Sequence, residues 1–142
     1  MPDDDQLAST FRDALRPLLR RLTLERTLSL SKTGMLSRLD EQGPATASEL
    51  AAAEQVSAQA AAVALRELED RGFVSRTSDP DDRRRVRVSL TDAGRNRLQE
   101  ERARGTRWLD GALRDRLDDA DRAALEAVVP VLRKLTGAGV DE

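Results

Sequence analysis

The sequence predicts a mainly α-helical protein with one small β-hairpin, and three observations carry that expectation. Apolar residues recur at helical spacing over most of the chain. Ser, Thr or Asp stands at the head of several of these segments, and Gly closes two of them. A single stretch, Arg76 to Gly94, departs from that pattern: a turn signal at Asp79-Pro80, then Arg83, Arg84 and Arg85, then Val86, Val88 and Leu90 alternating with Arg87 and Ser89. Alternation of this kind is the period of a half-buried strand.

Taken in order, Leu7, Phe11, Leu15, Leu18, Leu19 and Leu22 define an amphipathic helix over roughly residues 5–26. Pro17 lies inside it, removes one backbone donor, and is expected to kink it. Ser29 caps a second helix through about Glu41, ended by Gly43-Pro44. Thr46 and Glu49 form a capping box for a short helix over 47–53, and Ser57 caps a fourth over 57–71, stopped by Gly72. Two short helices joined by a brief connection are a helix-turn-helix layout.

Hairpin strands are expected at Phe73–Thr77 and Arg84–Leu90. The Asp79 side chain can bond the backbone two residues on, and Pro80 pre-sets φ for the turn. Thr91 caps a long helix of about 92–116, whose first half is poor in apolar residues and whose second half supplies Trp108, Leu109, Ala112, Leu113 and Leu117. Asp118 opens a last helix with Leu125, Val128, Val129, Leu132 and Leu135 on one side and Pro130 within it, a second expected kink. The tail from Thr136 is expected to fray.

Composition narrows the function. At 142 residues one domain is expected. The chain has no cysteine, histidine or tyrosine, which removes thiolate metal sites, disulfides and the commonest general base. No paired-carboxylate or Ser-Lys constellation stands in their place, so neither an enzyme nor a cofactor or metal is expected. No run of eighteen apolar residues is present, and the acidic MPDDDQ start lacks a signal-peptide layout; no membrane association and a cytoplasmic location are the corresponding expectations. Net charge is −2, yet of 24 basic residues only Lys32 and Lys134 are lysine. Arginine forks suit phosphate and guanine contacts, and a hairpin tip carrying three of them points to nucleic acid.

The order helix, helix, helix-turn-helix, hairpin, long helix, helix carries Ser-Glu-Leu-Ala at 48–51, Leu68-Glu69, Gly72-Phe73-Val74, Asp79-Pro80-x-Asp82-Arg83-Arg84 and Leu90-Thr91-x-x-Gly94. This resembles the MarR family of winged helix-turn-helix transcription regulators over nearly the whole chain. The resemblance implies a single MarR-like domain over 1–142, with dimerisation helices at about 5–26 and 105–136 and a winged helix-turn-helix at about 29–97. It also implies a homodimeric repressor of a pseudo-palindromic double-stranded DNA operator, released by a small aromatic or anionic effector. The apolar terminal helices point independently to a partner surface. A winged-helix module acting mainly through protein–protein interaction is the alternative, favoured by the acidic net charge.

Helical period turns Ala61, Ala64, Leu65 and Leu68 inward and leaves Gln59, Ala60, Ala62, Val63 and Arg66 on or near the outer face of the recognition helix that begins at Ser57. Gln59 can pair with adenine, whereas alanine and valine only touch a thymine methyl. Relatives often carry Thr or Arg at the positions of Ala60, Ala62 and Val63, so shape readout is expected to carry more of the specificity here. In the wing the resemblance makes Asp82 the brace of an arginine and Arg84 the minor-groove reader, with Arg83, Arg85 and Arg87 on phosphates or in the bracing pair. For the effector it suggests Phe11, Met35 and Trp108 as crevice walls and Arg12 or Arg16 as anion partner, against a plain packing role for each. Gly34, inside the second helix, makes room either for a ligand or for a neighbouring helix.

Overall fold

The structure, a computed structural model, describes Met1 and residues 3–137. Its elements are α1 (Asp4–Leu24), α2 (Leu30–Gln42), β1 (Ala45–Thr46), α3 (Ala47–Glu54), α4 (Ala58–Asp70), β2 (Val74–Ser78), β3 (Val86–Leu90), α5 (Asp92–Arg116) and α6 (Asp119–Leu135). They fall into two compact units, Met1–Gly105 and Thr106 onward, with α5 passing from the first into the second. Residues 138–142 of the tail expected to fray lie outside the described residues.

Local chemistry sets the helix starts. The side chains of Ser29, Thr46, Ser57 and Asp118 each accept the backbone N–H three residues on, from Lys32, Glu49, Ala60 and Asp121. Each such cap contributes about 0.5–2 kcal/mol. At Thr46 and Asp118 the bond is reciprocated by the Glu49 and Asp121 side chains. α1 and α6 each run as one continuous helix through Pro17 and Pro130, so neither proline divides its helix.

In the first unit the core lies among α2, α3, α4, the sheet and the first half of α5. Met35 and Leu36 of α2, Leu50 of α3, Leu65 and Leu68 of α4, Val88 of β3 and Leu98 of α5 are fully enclosed there. Burying a side chain of this size contributes about 1.5–3 kcal/mol. α3 hands over to α4 through Gln55, whose φ of 55° is left-handed, and the Val56 N–H bonds Ala51 O at 3.0 Å. That tight turn leaves α4 with Ala61, Ala64, Leu65 and Leu68 buried, the face expected from the sequence.

The sheet has three antiparallel strands in the order β1-β3-β2, one more than the expected hairpin. Ala45 pairs with Val88, and Val88 also faces Arg76. β1 is only two residues long, too short to show a period in the sequence. The hairpin itself starts one residue later on β2 and two later on β3 than expected, because the arginines at 84 and 85 belong to the turn.

Gly94 of α5 sits where a Cβ would overlap the Phe73 carbonyl oxygen. The Thr91 hydroxyl accepts the Gly94 N–H at 3.0 Å and donates to Gly72 O at 2.6 Å. The Leu90-Thr91-x-x-Gly94 motif is thus a weld between the hairpin's exit and its entry. A Cβ at Gly34 would overlap the Glu54 carboxylate, so this glycine makes room for α3, not for a ligand.

In the second unit, α6 has no buried residue. Leu125, Val128, Val129, Val131 and Leu135 are each more than a third exposed. No helix among the described residues is long and apolar enough to cross a membrane.

Candidate nucleic-acid interface

Packing of its inner face presents the other face of α4 to solvent. Gln59, Ala60, Val63 and Arg66 are exposed, and Ala62 is half-buried. The Ser57 oxygen accepts the Ala60 N–H at 3.0 Å, so its first task is to cap this helix.

Between β2 and β3, residues 79–85 form a tip closed by hydrogen bonds. The Asp79 carboxylate accepts the Asp81 N–H at 2.9 Å, the Asx turn expected at Asp79-Pro80. Its other oxygen accepts from Arg87 Nε at 3.1 Å, and the Asp79 N–H closes the loop on Arg85 O at 2.9 Å. Only 5% of the Asp79 side chain is exposed. The Asp81 N–H bond holds its carboxyl below the usual carboxylate range; partial burial opposes this, and Arg87 adds to it. Arg83, Arg84 and Arg85 project from the tip, exposed and without a carboxylate partner among the described residues. Three guanidinium groups on a braced loop are fit to meet closely spaced phosphates or a negative groove.

The brace differs from the expected one. Asp82 does not pair with an arginine side chain among the described residues; its Oδ1 accepts the Arg84 N–H at 3.0 Å and its carbonyl the Arg85 N–H at 3.0 Å. Asp82 shapes the backbone, and the buried Asp79 holds Arg87. The reason is register: Arg87 faces Thr77 on β2, next to the turn into which Asp79 is folded. Lower down, Arg76 Nε bonds Glu69 at 2.6 Å, tying β2 to α4, while Arg71 and Arg97 stack on Phe73 at 5.1 and 5.6 Å.

The suggested effector residues divide. Met35 is fully buried in the core, where the inner face of α2 uses it for packing. Phe11 is half-buried on α1, where Arg12 and Arg16 pair with Asp13 at 3.5 and 3.6 Å. Trp108 is half-buried in the second unit.

A cavity of about 200 Å³ in the first unit went unread in the sequence: Leu22, Glu25, Arg26, Thr33, Glu101, Arg102 and Gly105 line it. The Thr33 hydroxyl is buried without a hydrogen-bond partner among the described residues, and Glu101 is only 6% exposed. Glu101 accepts the Thr27 N–H at 3.1 Å and the Thr27 hydroxyl, with Arg97 at 3.5 Å. Burial resists ionisation of Glu101, but the Thr27 bonds and Arg97 outweigh it and hold the carboxyl below its ordinary range. The one local signal was the spacing of Arg97 and Glu101 four apart on a helix.

A winged helix-turn-helix with an arginine-tipped wing agrees with what the chain is similar to. Residues 28–86, from just before α2 to the first residue of β3, match the model of the MarR family. An HTH-type transcriptional regulator of Mycobacterium tuberculosis is 31% identical over 112 residues, covering 77% of this chain and 78% of that one. The HTH-type transcriptional repressor MdtR of Bacillus subtilis is 30% identical over 107 residues, 70% and 69% of the two chains. The crystal structure of a putative transcriptional regulator from Pseudomonas aeruginosa superposes with a TM-score of 0.82 at 38% identity, over 95% of this chain and 98% of that one. Family, relatives and fold are those of regulators rather than enzymes, and the chain belongs to the MarR family of DNA-binding, winged helix-turn-helix transcription regulators.

Proposed function

We propose that the protein is a homodimeric, sequence-specific repressor acting in the cytoplasm, with residues 1–142 working as one functional domain. In this reading α4 enters the major groove and the wing follows the adjacent minor groove, with Arg84 as its reader. The observation that carries it is the pairing of an outward α4 face with a braced wing tip whose Arg83, Arg84 and Arg85 have no carboxylate partner among the described residues. Gln59 and Arg66 offer hydrogen-bonding side chains for base edges, whereas Ala60, Ala62 and Val63 between them do not, so the wing supplies a large share of affinity.

Dimerisation is supported by α1 and α6, which bury nothing yet carry Leu7, Leu18, Leu19 and Leu24 on one and Leu125, Val128 and Val129 on the other. Release by a small anionic ligand is supported by the cavity between the end of α1 and α5, where Arg26 and the Thr33 hydroxyl, unpartnered among the described residues, offer donors, Arg102 being engaged by Asp40 and Ser37. A two-fold dimer reads a pseudo-palindrome with half-sites about one helical turn apart.

Selection of bound duplexes from a random pool, followed by titration across a salt series, tests the reading. The expected result is a pseudo-palindromic site, a steep loss of affinity with salt, and a loss of about 1–3 kcal/mol for Arg84→Ala. A flat salt response, or no selected sequence, sinks it.

A further inference from the structure

A groove of about 430 Å³ runs between the start of α2 and α4, lined by Ser29, Ser31 and Lys32 on one side and by Ser57, Gln59 and Glu67 on the other. Its α4 wall includes part of the outward face of the recognition helix, so a duplex seated on that face brings one strand's backbone to this groove. Lys32 is its single lysine. The side chain is only 22% exposed and forms an ion pair with Glu67, whose own side chain is 51% exposed.

Two features set this lysine apart. It stands in the first turn of α2, which has no acidic residue, so its charge opposes the helix dipole. Its carboxylate partner comes from α4, the element that meets DNA. While the pair is closed, Lys32 brings little net positive charge to the groove. A backbone phosphate competes directly with Glu67 for the ammonium group, and Glu67 then faces a polyanion.

We propose that Lys32 is a phosphate contact held in check by Glu67: DNA opens the ion pair, Lys32 takes the backbone of the strand beside α4, and Glu67 acts as a built-in brake on affinity. This rests on the DNA-binding reading above. A contact of this kind is blind to sequence, because a phosphate carries no base information. Lys32 therefore sets how tightly any duplex is held, while α4 and the wing set which one.

The test uses the full chain, a selected operator duplex and a scrambled duplex of equal length, followed by fluorescence anisotropy over a salt series. Lys32→Ala is expected to weaken both duplexes by about three- to tenfold alike and to lower the salt slope by about 0.9. Glu67→Gln is expected to strengthen both by a similar factor, and in the double variant that gain disappears. Lys32→Arg keeps binding near the wild-type level. If Lys32→Ala melts early, Lys32→Gln gives the same reading with the stem retained.

Wild-type affinity and slope in Lys32→Ala, or weaker binding in Glu67→Gln, overturns the proposal. Where Arg84→Ala still loses affinity in the same assay, the DNA reading stands and only the brake falls. Where the wild-type chain binds neither duplex, both fall together.

Discussion

The region from α2 to β3 and the two terminal helices make opposite use of similar apolar content. In α2, α3 and α4 the leucines and alanines at helical spacing close on one another and on Val74 and Val88, and several reach zero exposure. In α1 and α6 the same spacing leaves no residue buried, and Leu7, Leu19, Leu24, Val128 and Val131, among others, remain 38–70% exposed. The first region is a finished core that holds a DNA-reading surface steady. Each terminal helix carries an uncovered apolar side, which in our reading a second copy completes. Periodicity alone does not tell these cases apart, because it reports which face is apolar and not what covers it.

The largest effect belongs to the finished core. Leu65→Ala, in α4 at zero exposure, is expected to lower unfolding free energy by about 2–5 kcal/mol in denaturant titration. A cost below 1 kcal/mol would break the contrast, since the winged region would then not be the rigid half.

Next comes the face of α6. If α6 is the dimer surface we propose, Val129→Arg places an unpaired charge there and is expected to weaken association by about 3 kcal/mol, roughly a hundredfold, in sedimentation equilibrium. Helical content should stay near wild type, because Val129 is 40% exposed within its own chain. Unchanged association would mean that α6 is not the partner surface.

The smallest effect sharpens the boundary between the two regions. Glu101 holds Thr27, at the junction between α1 and α2, and its folded pKa is lowered. A depressed carboxylate contributes stability that is complete above its unfolded value, about 4.3, and is lost as pH falls through the folded value. Glu101→Gln is expected to cost about 1–2 kcal/mol near neutrality and to flatten the acid limb of the stability profile. Some acid dependence remains, because the Asp79 carboxyl is lowered in the same direction. An acid limb identical to wild type would show that this tie is not made.

How much was legible follows from distance along the chain. The caps at Ser29, Thr46, Ser57 and Asp118 and the Asx turn at Asp79 join residues two or three apart, so a short window of sequence contains both partners. The inward face of α4 was legible because four positions at helical period agree. The wing's arginines were legible as a cluster, but their brace was not. Asp79 and Arg87 are eight residues apart across a turn, and only the β2–β3 register decides that they meet. Thr27 and Glu101 are 74 residues apart, and nothing local pairs them.

The sequence by itself therefore determined the order of the helices, the caps that start four of them, the hairpin turn and the family, all of which rest on local hydrogen bonding and on apolar period. Only the tertiary structure decided that Met35 belongs to the core, that Gly34 yields to Glu54, that a two-residue β1 joins the sheet, and that Lys32 meets Glu67. Those outcomes depend on how separate elements pack. Packing is set by the summed shape of many side chains, which no single stretch of the chain contains.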